Sequence, residues 1–265
     1  MGVAFALSGR AGTGVVIMAL ALVLAAAATP ILSCPGGTIE TKCTAAEVTA
    51  KIALTRARVT NIALRCLYDL GGKCSVEASG RINGADPGTA LLWQKMRLSP
   101  RDGPSARMLV LLSQYKAGKA TLAGFTESSG SMGTPDLVAD GDKRRLIHVG
   151  GTLVGSGGGN ADALFVSDTA APKWRRVDLS DWAEQGGKLL PTGYWLRGPA
   201  QFAFDEMFAS APVAREGDGE CCPRGGNAFY DLDIQSDRLV LTRLRFQPMQ
   251  PLGRDIEVTA GTLED

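Results

Sequence analysis

The sequence predicts an α+β protein in which an N-terminal helix is followed by a mainly antiparallel β domain, sandwich or barrel-like. A stretch with helical spacing of apolar residues begins at Thr44 and stops at Gly71 and Gly72. Short apolar or alternating runs follow, separated by clusters of Pro, Gly, Asp and Ser. Strands spaced so closely, without helices between them, favour antiparallel sheets over a parallel α/β sheet.

The chain opens with an apolar run that is typical of a signal peptide. Residues 15–28 (VVIMALALVLAAAA) carry no charge, and the run is shorter than the roughly 20 apolar residues that a membrane span requires. Ala26 and Ala28 are the small residues that signal peptidase prefers, so we expect cleavage after Ala28 and a mature chain that starts at Thr29. Residues 1–28 are therefore predicted to be a signal peptide, and the protein to be periplasmic or secreted.

A second interpretation of the N-terminal region stays open. The string ILSC, which ends at Cys34, resembles a bacterial lipobox, and its cysteine would become the lipidated first residue of a lipoprotein. Leu32 stands where a smaller residue is usual, and Pro30 lies just upstream. Association with the membrane is expected only if Cys34 is lipidated, which would anchor the protein in the envelope.

Charge and length limit the classes of function. The chain has 28 Lys and Arg against 27 Asp and Glu, and loss of Arg10 with the leader leaves 27 of each. A neutral protein lacks the basic face that nucleic acid usually requires, so we expect no nucleic-acid partner. Removing 28 of the 265 residues leaves 237, enough for one large domain or two small ones.

The first predicted element of the mature chain is a single long helix. Thr44 and Glu47 (TAAE) fit a capping box, and the apolar stripe that follows ends at Leu70. The stripe consists of Val48, Ile52, Val59, Ile62, Cys66 and Leu70, with Arg56, Arg58 and Arg65 mostly off it. We assign residues 29–80 to a disulfide-tied helical segment and residues 81–265 to a mainly antiparallel β domain that includes a CCP loop.

The β domain is predicted from its apolar runs, and one short helix interrupts it. Strands are predicted at 90–98, 106–115, 120–127, 146–155, 163–167, 174–179, 227–234 and 238–246. The last two alternate apolar and polar residues around a QSD turn and form the clearest hairpin. DWAEQGGKLL is predicted to be a short helix capped by Asp178 or Ser180.

The six cysteines of an exported chain are first a disulfide framework. They are Cys34, Cys43, Cys66, Cys74, Cys221 and Cys222. Proximity in the sequence favours the pairs Cys34–Cys43 and Cys66–Cys74. The adjacent cysteines at 221 and 222 are expected to form a structural staple, either with each other or with distant partners. A redox role for this pair is the alternative, although it lacks the Cys-X-X-Cys spacing of thioredoxin-like sites.

The other motifs indicate no catalytic residue, no metal site and no cofactor. His148, the only histidine, is expected to be an ordinary strand residue, and GSGGGNAD (155–162) a flexible hairpin rather than a phosphate loop. The acidic residues at 216, 218 and 220 are expected to form a solvated loop. Four clustered aromatic residues either line a ligand cleft or form core beneath a sheet: Trp174, Trp182, Tyr194 and Trp195.

Four segments together resemble a group of uncharacterised secreted bacterial proteins. They are GxGxxNADALF (155–165), KWRRVDLSDW (173–182), LPTGYWLRG (190–198) and GDGECCPRGG (217–226). In that group an acidic C-terminal loop carries CCP-x-G-G, and more distantly this loop resembles that of the LppP/LprE-type lipoproteins. The similarity covers about residues 145–246 and implies an exported β-rich domain with no known activity. Arg224 stands where the group has a small hydroxyl residue.

These observations predict a non-catalytic periplasmic or envelope-associated protein that binds another protein or a small-molecule ligand. The alternative is an envelope thiol-redox protein that uses Cys221 and Cys222.

Overall fold

The computed structural model describes residues 34, 44–68, 73–86, 89–99, 105–114, 119–140, 143–154, 159–170, 173–219, 222–249 and 256–259. Within these ranges the chain is mainly antiparallel β-structure with three short helices. None of these helices has the length and the apolar character needed to span a membrane. The predicted signal peptide lies outside the described residues.

Three sheets and three helices make up the described structure. The helices are α1 (Ala45–Lys51), α2 (Arg56–Thr60) and α3 (Asp181–Leu189). Sheet A contains β1 (Lys73–Asp86), β2 (Thr89–Ser99), β3 (Ala106–Gln114) and β4 (Ala120–Ser128); sheet B contains β5 (Met132–Asp140), β6 (Arg144–Gly151), β7 (Ala163–Asp168) and β8 (Arg175–Val177). Sheet C contains β9 (Tyr194–Leu196), β10 (Gln201–Ala203), β11 (Phe208–Arg215), β12 (Gly226–Gln235), β13 (Arg238–Pro248) and β14 (Ile256–Thr259). Neighbouring strands follow chain order, except that β9 pairs with β11.

The predicted α+β fold class is wrong, because no long N-terminal helix precedes the β-structure in the described part of the chain. The capping box at Thr44 and Glu47 is present, but α1 ends after seven residues. Ile52 then adopts an extended conformation and pairs with Tyr68 in an isolated β-bridge. A second helix of five residues starts where the Thr55 hydroxyl accepts the Arg58 backbone N–H. The helical spacing of apolar residues therefore identifies the residues that are buried, but it does not predict a continuous helix. The N-cap at Thr55 begins a new helix where the single long helix was expected to continue.

The predicted sandwich or barrel is also replaced, by three sheets that pack face to face. Sheet B is apolar on both faces, and Ala163 to Ser167 of β7 are all buried. Ile147, Val149 and Phe165 contact the core of sheet A, whereas Leu146, Leu164 and Val166 contact the core of sheet C. A two-layer sandwich would expose one face of each sheet to water. Because both faces of sheet B are apolar, each face must be covered by another layer.

The outer face of sheet A is covered by the N-terminal segment. Val48 of α1, Val59 of α2 and the buried Leu67 and Tyr68 pack against this face. The sheet contributes Leu92, Met96, Leu98, Met108, Val110 and Leu112. The two short helices and the segment after them thus bury the apolar surface on this side of sheet A.

Several strand predictions are confirmed at the level of the element. The predicted hairpin corresponds to β12 and β13, and Ser236 and Asp237 at its turn have φ angles of 50° and 62°. Positive φ at both positions is the geometry of a type I′ turn. The predicted short helix corresponds to α3, where Ser180 is the N-cap and its backbone N–H donates to the Asp178 carboxylate.

Strands β1, β5, β9, β10, β11 and β14 were not predicted, and all of them except β11 pair with a single neighbouring strand in the described structure. β5 contains Gly133 and Pro135 within an irregular stretch of its pairing with β6. Proline is tolerated at an edge because one side of the strand needs no partner. Edge strands are partly solvated, so their sequences lack the apolar alternation on which the predictions rested.

Two neighbouring glycines in α3 allow a matched test of its packing on sheet C. A Cβ atom at Gly186 would lie 2.8 Å from the buried Tyr230 ring, whereas a Cβ atom at Gly187 would meet nothing within 4 Å. We expect Gly186→Ala to lower the free energy of unfolding by about 1 to 3 kcal/mol through overpacking. Gly187→Ala should raise it by about 0.5 to 1 kcal/mol through helix propensity. Urea denaturation of both variants measures the difference, and equal effects would contradict this packing.

Candidate binding groove

A groove of about 590 Å³ lies between the segment that follows α2 and the first residues of β1. It is lined by Arg58, residues 63–66 and residues 74–76, and we call it the α2–β1 groove. A disulfide joins Cys66 to Cys74 across the two sides, with 6.4 Å between their Cα atoms. This bridge confirms the predicted pair. It connects the segment after α2 to the first strand of sheet A.

Gln94 fixes the position of the groove wall. Its side chain is fully buried on β2 and lies against the loop that follows α2. The side-chain oxygen accepts the Leu67 backbone N–H at 2.7 Å, and the amide nitrogen donates to the carbonyls of Ile62 and Arg65. These three bonds satisfy backbone groups of the loop after α2 that would be bonded within a helix if the helix continued.

The groove presents an exposed leucine beside two arginines. Leu64 is 81% exposed, although the loop that carries it is held on both sides. Arg58 donates a hydrogen bond to the Cys66 carbonyl, which ties α2 to the same loop. Arg65 is exposed, and none of the described lining residues is acidic. The surface therefore combines a positive charge with an apolar contact on a rigid frame.

The CCP loop joins β11 to β12 and is organised by Asp218. The Asp218 carboxylate accepts the backbone N–H groups of Arg224 at 2.7 Å and of Arg215 at 3.0 Å. These bonds, the one from Arg224 first, lower the pKa of the carboxyl group. Asp218 therefore closes the loop on itself, whereas Glu216 is exposed and Glu220 lies outside the described residues.

The glycine pair after the CCP sequence is required by the close approach of strands. A Cβ atom at Gly225 would lie 2.7 Å from the Val213 carbonyl oxygen, and one at Gly226 would lie 2.1 Å from that of Gln247. Gly226 also has a φ angle of 127°, a conformation that other residues rarely adopt. The GG of the motif therefore serves strand packing.

The remaining cysteines are described in part. Cys34 is buried and disulfide-bonded, and its predicted partner Cys43 lies outside the described residues. Cys222 lies on the exposed CCP loop, and its neighbour Cys221 is outside the described residues as well. The redox alternative for this pair stays a prediction.

His148 belongs to a polar cluster between sheets B and C. Its Nε2 lies 2.6 Å from an Asp162 carboxylate oxygen, and the ring packs edge-on against Phe204 at 4.8 Å. Asn160 donates to Asp162 and to the Ala200 carbonyl, and its own side-chain oxygen accepts the Ala200 N–H. This cluster attaches the segment before β10 to sheet B. In the part of the chain that is described, no group of three or more His, Cys, Asp or Glu side chains is arranged to hold a metal ion.

The four clustered aromatic residues lie in different places. Trp174 is buried between sheets A and B, whereas Trp182 and Tyr194 belong to the core between sheets B and C. Trp182 packs edge-on against Tyr230 at 5.2 Å, and Trp195 is exposed on β9. The structure therefore brings two of the four together, and ligand binding by all four stays a prediction.

Sequence reasoning missed the groove, because its residues looked like the solvated side of a helix. Leu64 and Arg65 lie off the predicted apolar stripe, and Gln94 is a single polar residue within an apolar strand. A polar residue among buried neighbours was the one available signal, since such a residue needs hydrogen-bond partners.

Replacing Gln94 tests whether this side chain holds the groove wall. Gln94→Met keeps most of the volume but leaves buried backbone groups without partners, so we expect a loss of about 2 to 4 kcal/mol in the free energy of unfolding. Gln247→Met, at an exposed position on β13, should change it by less than about 0.5 kcal/mol. Urea denaturation and hydrogen exchange at the Leu67 amide measure both effects. An unchanged Leu67 exchange rate in the Gln94→Met variant would contradict the assignment.

The Asp218 carboxylate should make the stability of the folded CCP loop depend on pH in the acidic range. Folding lowers the pKa of this carboxyl group. Its contribution to the stability of the folded loop is therefore complete when the pH is above its ordinary pKa of about 3.9, and it is lost as the pH falls through the lowered pKa. The Arg224 amide resonance in nuclear magnetic resonance spectra should shift over that acidic range. Asp218→Asn retains an acceptor oxygen but cannot titrate, so its Arg224 resonance should stay constant. The same acid shift in both proteins would show that another group is responsible.

Comparison with protein-family models and with curated proteins yields no match. Among solved structures, a Glu150Asp mutant of the Synechocystis apocarotenoid oxygenase is similar over 74% of this chain, with 11% sequence identity and a TM-score of 0.23. The alignment covers 47% of that structure, so the chain spans about half its length.

Proposed function

We propose that this chain is an exported, non-catalytic protein that binds another protein through the α2–β1 groove. One observation carries the proposal: an exposed leucine and two arginines stand on a frame fixed by a disulfide and by a buried glutamine. Arginine is enriched at protein interfaces and among the residues that contribute most to binding, and the exposed Leu64 adds an apolar contact beside the two arginines.

The rigidity of the groove favours a role in binding. Partners pay an entropic penalty when loops become ordered on association, and a preformed surface avoids much of it. Here the loop of residues 63–66 is held by Gln94, by Arg58 and by the Cys66–Cys74 bridge. Leu64 is therefore presented to solvent on a loop that is already ordered.

Export is supported by the sequence and by the cysteines. The apolar run at residues 15–28 is typical of a signal peptide, and a disulfide such as Cys66–Cys74 persists mainly in oxidising compartments. The disulfide at Cys34 uses the same sulfur atom that a lipid anchor would need. This favours the soluble periplasmic or secreted form over the lipid-anchored alternative.

A photo-cross-linking amino acid in place of Leu64 tests the proposed function in a bacterium that exports the protein. We expect irradiation to give discrete adducts with a partner protein at this position, because the side chain would be buried in the complex. Val154 is 74% exposed and lies outside the groove, so the same replacement there serves as the matched control.

Adducts at position 64 should disappear when Arg65→Glu is added, since that change reverses a charge in the groove without removing the Arg65 carbonyl that Gln94 binds. Equal labelling at positions 64 and 154, or none at position 64, would overturn the proposal.

A further inference from the structure

We infer that the occupant of the α2–β1 groove is an extended acidic peptide segment, which adds to the edge of β1 as a fifth strand of sheet A. This inference rests on the proposed function and names the chemistry of the partner. The edge of β1 that no described strand pairs with, the charge of the groove and the exposed Leu64 support it in turn.

The first support is the edge of the sheet. β1 pairs with β2 from Lys73 opposite Ser99 to Val76 opposite Met96, and within the described ranges no strand pairs with its other side. Alternate backbone N–H and C=O groups of such a strand point away from the sheet. Ser75 and Val76 line the groove, so this edge forms part of its wall.

The usable edge is short. The register of β1 on β2 shifts between Val76 and Ala78, which is the signature of a bulge, so the regular edge in the groove covers residues 73–76. A partner segment of four to six residues is therefore long enough to satisfy it, by about one backbone hydrogen bond per residue. A small anion or a lipid headgroup offers no such row of donors and acceptors.

The charges select an acidic segment. Arg58 and Arg65 line the groove, and Lys73 is exposed at the start of the edge. The nearest described carboxylate on β1, that of Glu77, is 3.3 Å from Arg107 and 3.8 Å from Lys95, so it is already neutralised. Complementary charge on the partner gives specificity and speeds association. Leu64 adds a contact for one apolar side chain of the segment.

The probe is the fluorescein-labelled heptapeptide Thr-Val-Glu-Leu-Asp-Val-Thr, titrated by fluorescence anisotropy with the mature chain, residues 29–265, with its disulfides intact. We expect saturable binding that weakens about tenfold for Arg65→Glu and for the peptide in which Gln and Asn replace Glu and Asp. Arg81→Glu changes an exposed arginine of the same strand outside the groove and should leave the Kd within about twofold. Circular dichroism confirms that both variants are folded.

Two further peptides test the strand geometry. They carry backbone N-methyl groups on the odd or on the even residues, and only one of the two sets faces β1 in a β-ladder. We expect one methylated peptide to lose binding and the other to retain it. If both bind like the parent peptide, or if the amide peptide binds as tightly as the acidic one, the inference is overturned.

The failure of this inference is distinguishable from failure of the proposed function. Photo-adducts at position 64 without binding of the acidic peptide would overturn the acidic strand and retain a protein partner. Absence of both would overturn both. Binding to phosphatidylglycerol vesicles that is lost in Arg65→Glu, without binding of the peptide, would assign the groove to an anionic membrane surface instead.

Discussion

Burial of sheet B on both faces is the constraint on which the other layers depend. All residues from Ala163 to Ser167 are buried. On β6, Leu146 faces sheet C and Ile147 faces sheet A. Each large apolar side chain contributes about 1.5 to 3 kcal/mol when it is removed from water. Sheets A and C must therefore pack against sheet B, and the apolar outer face of sheet A then needs a cover of its own. The N-terminal segment provides that cover.

The way in which the N-terminal segment covers sheet A explains the groove. A continuous helix would satisfy its own backbone, but the segment after α2 leaves the helical path and finds its hydrogen bonds on Gln94. The Cys66–Cys74 bridge fixes the same segment to β1. Leu64 lies between these attachments, and for this reason an apolar side chain stays exposed on an ordered loop.

The alternating strands could be predicted from sequence because their periodicity reports a buried face directly. β12 and β13 alternate on either side of a polar turn, so the pattern and the structure agree. The number of sheets could not be predicted, since a run such as ALFVS is equally apolar whichever two layers cover it. The break after α1 was hidden for a related reason: Ile52 pairs there with Tyr68, which lies far along the sequence, and sequence periodicity records only neighbours.

An open strand edge is a hazard as well as a binding surface, because two such edges can pair with each other. Two features of this edge oppose such pairing. The bulge after Val76 interrupts the regular ladder after four residues, and pairing of two copies at residues 73–76 would bring two positively charged grooves, each with Arg58 and Arg65, close together. Like charges that face each other across a ladder are destabilising, whereas carboxylates in the same positions would be favourable. The charges that discourage self-association are therefore the same ones that select an acidic partner.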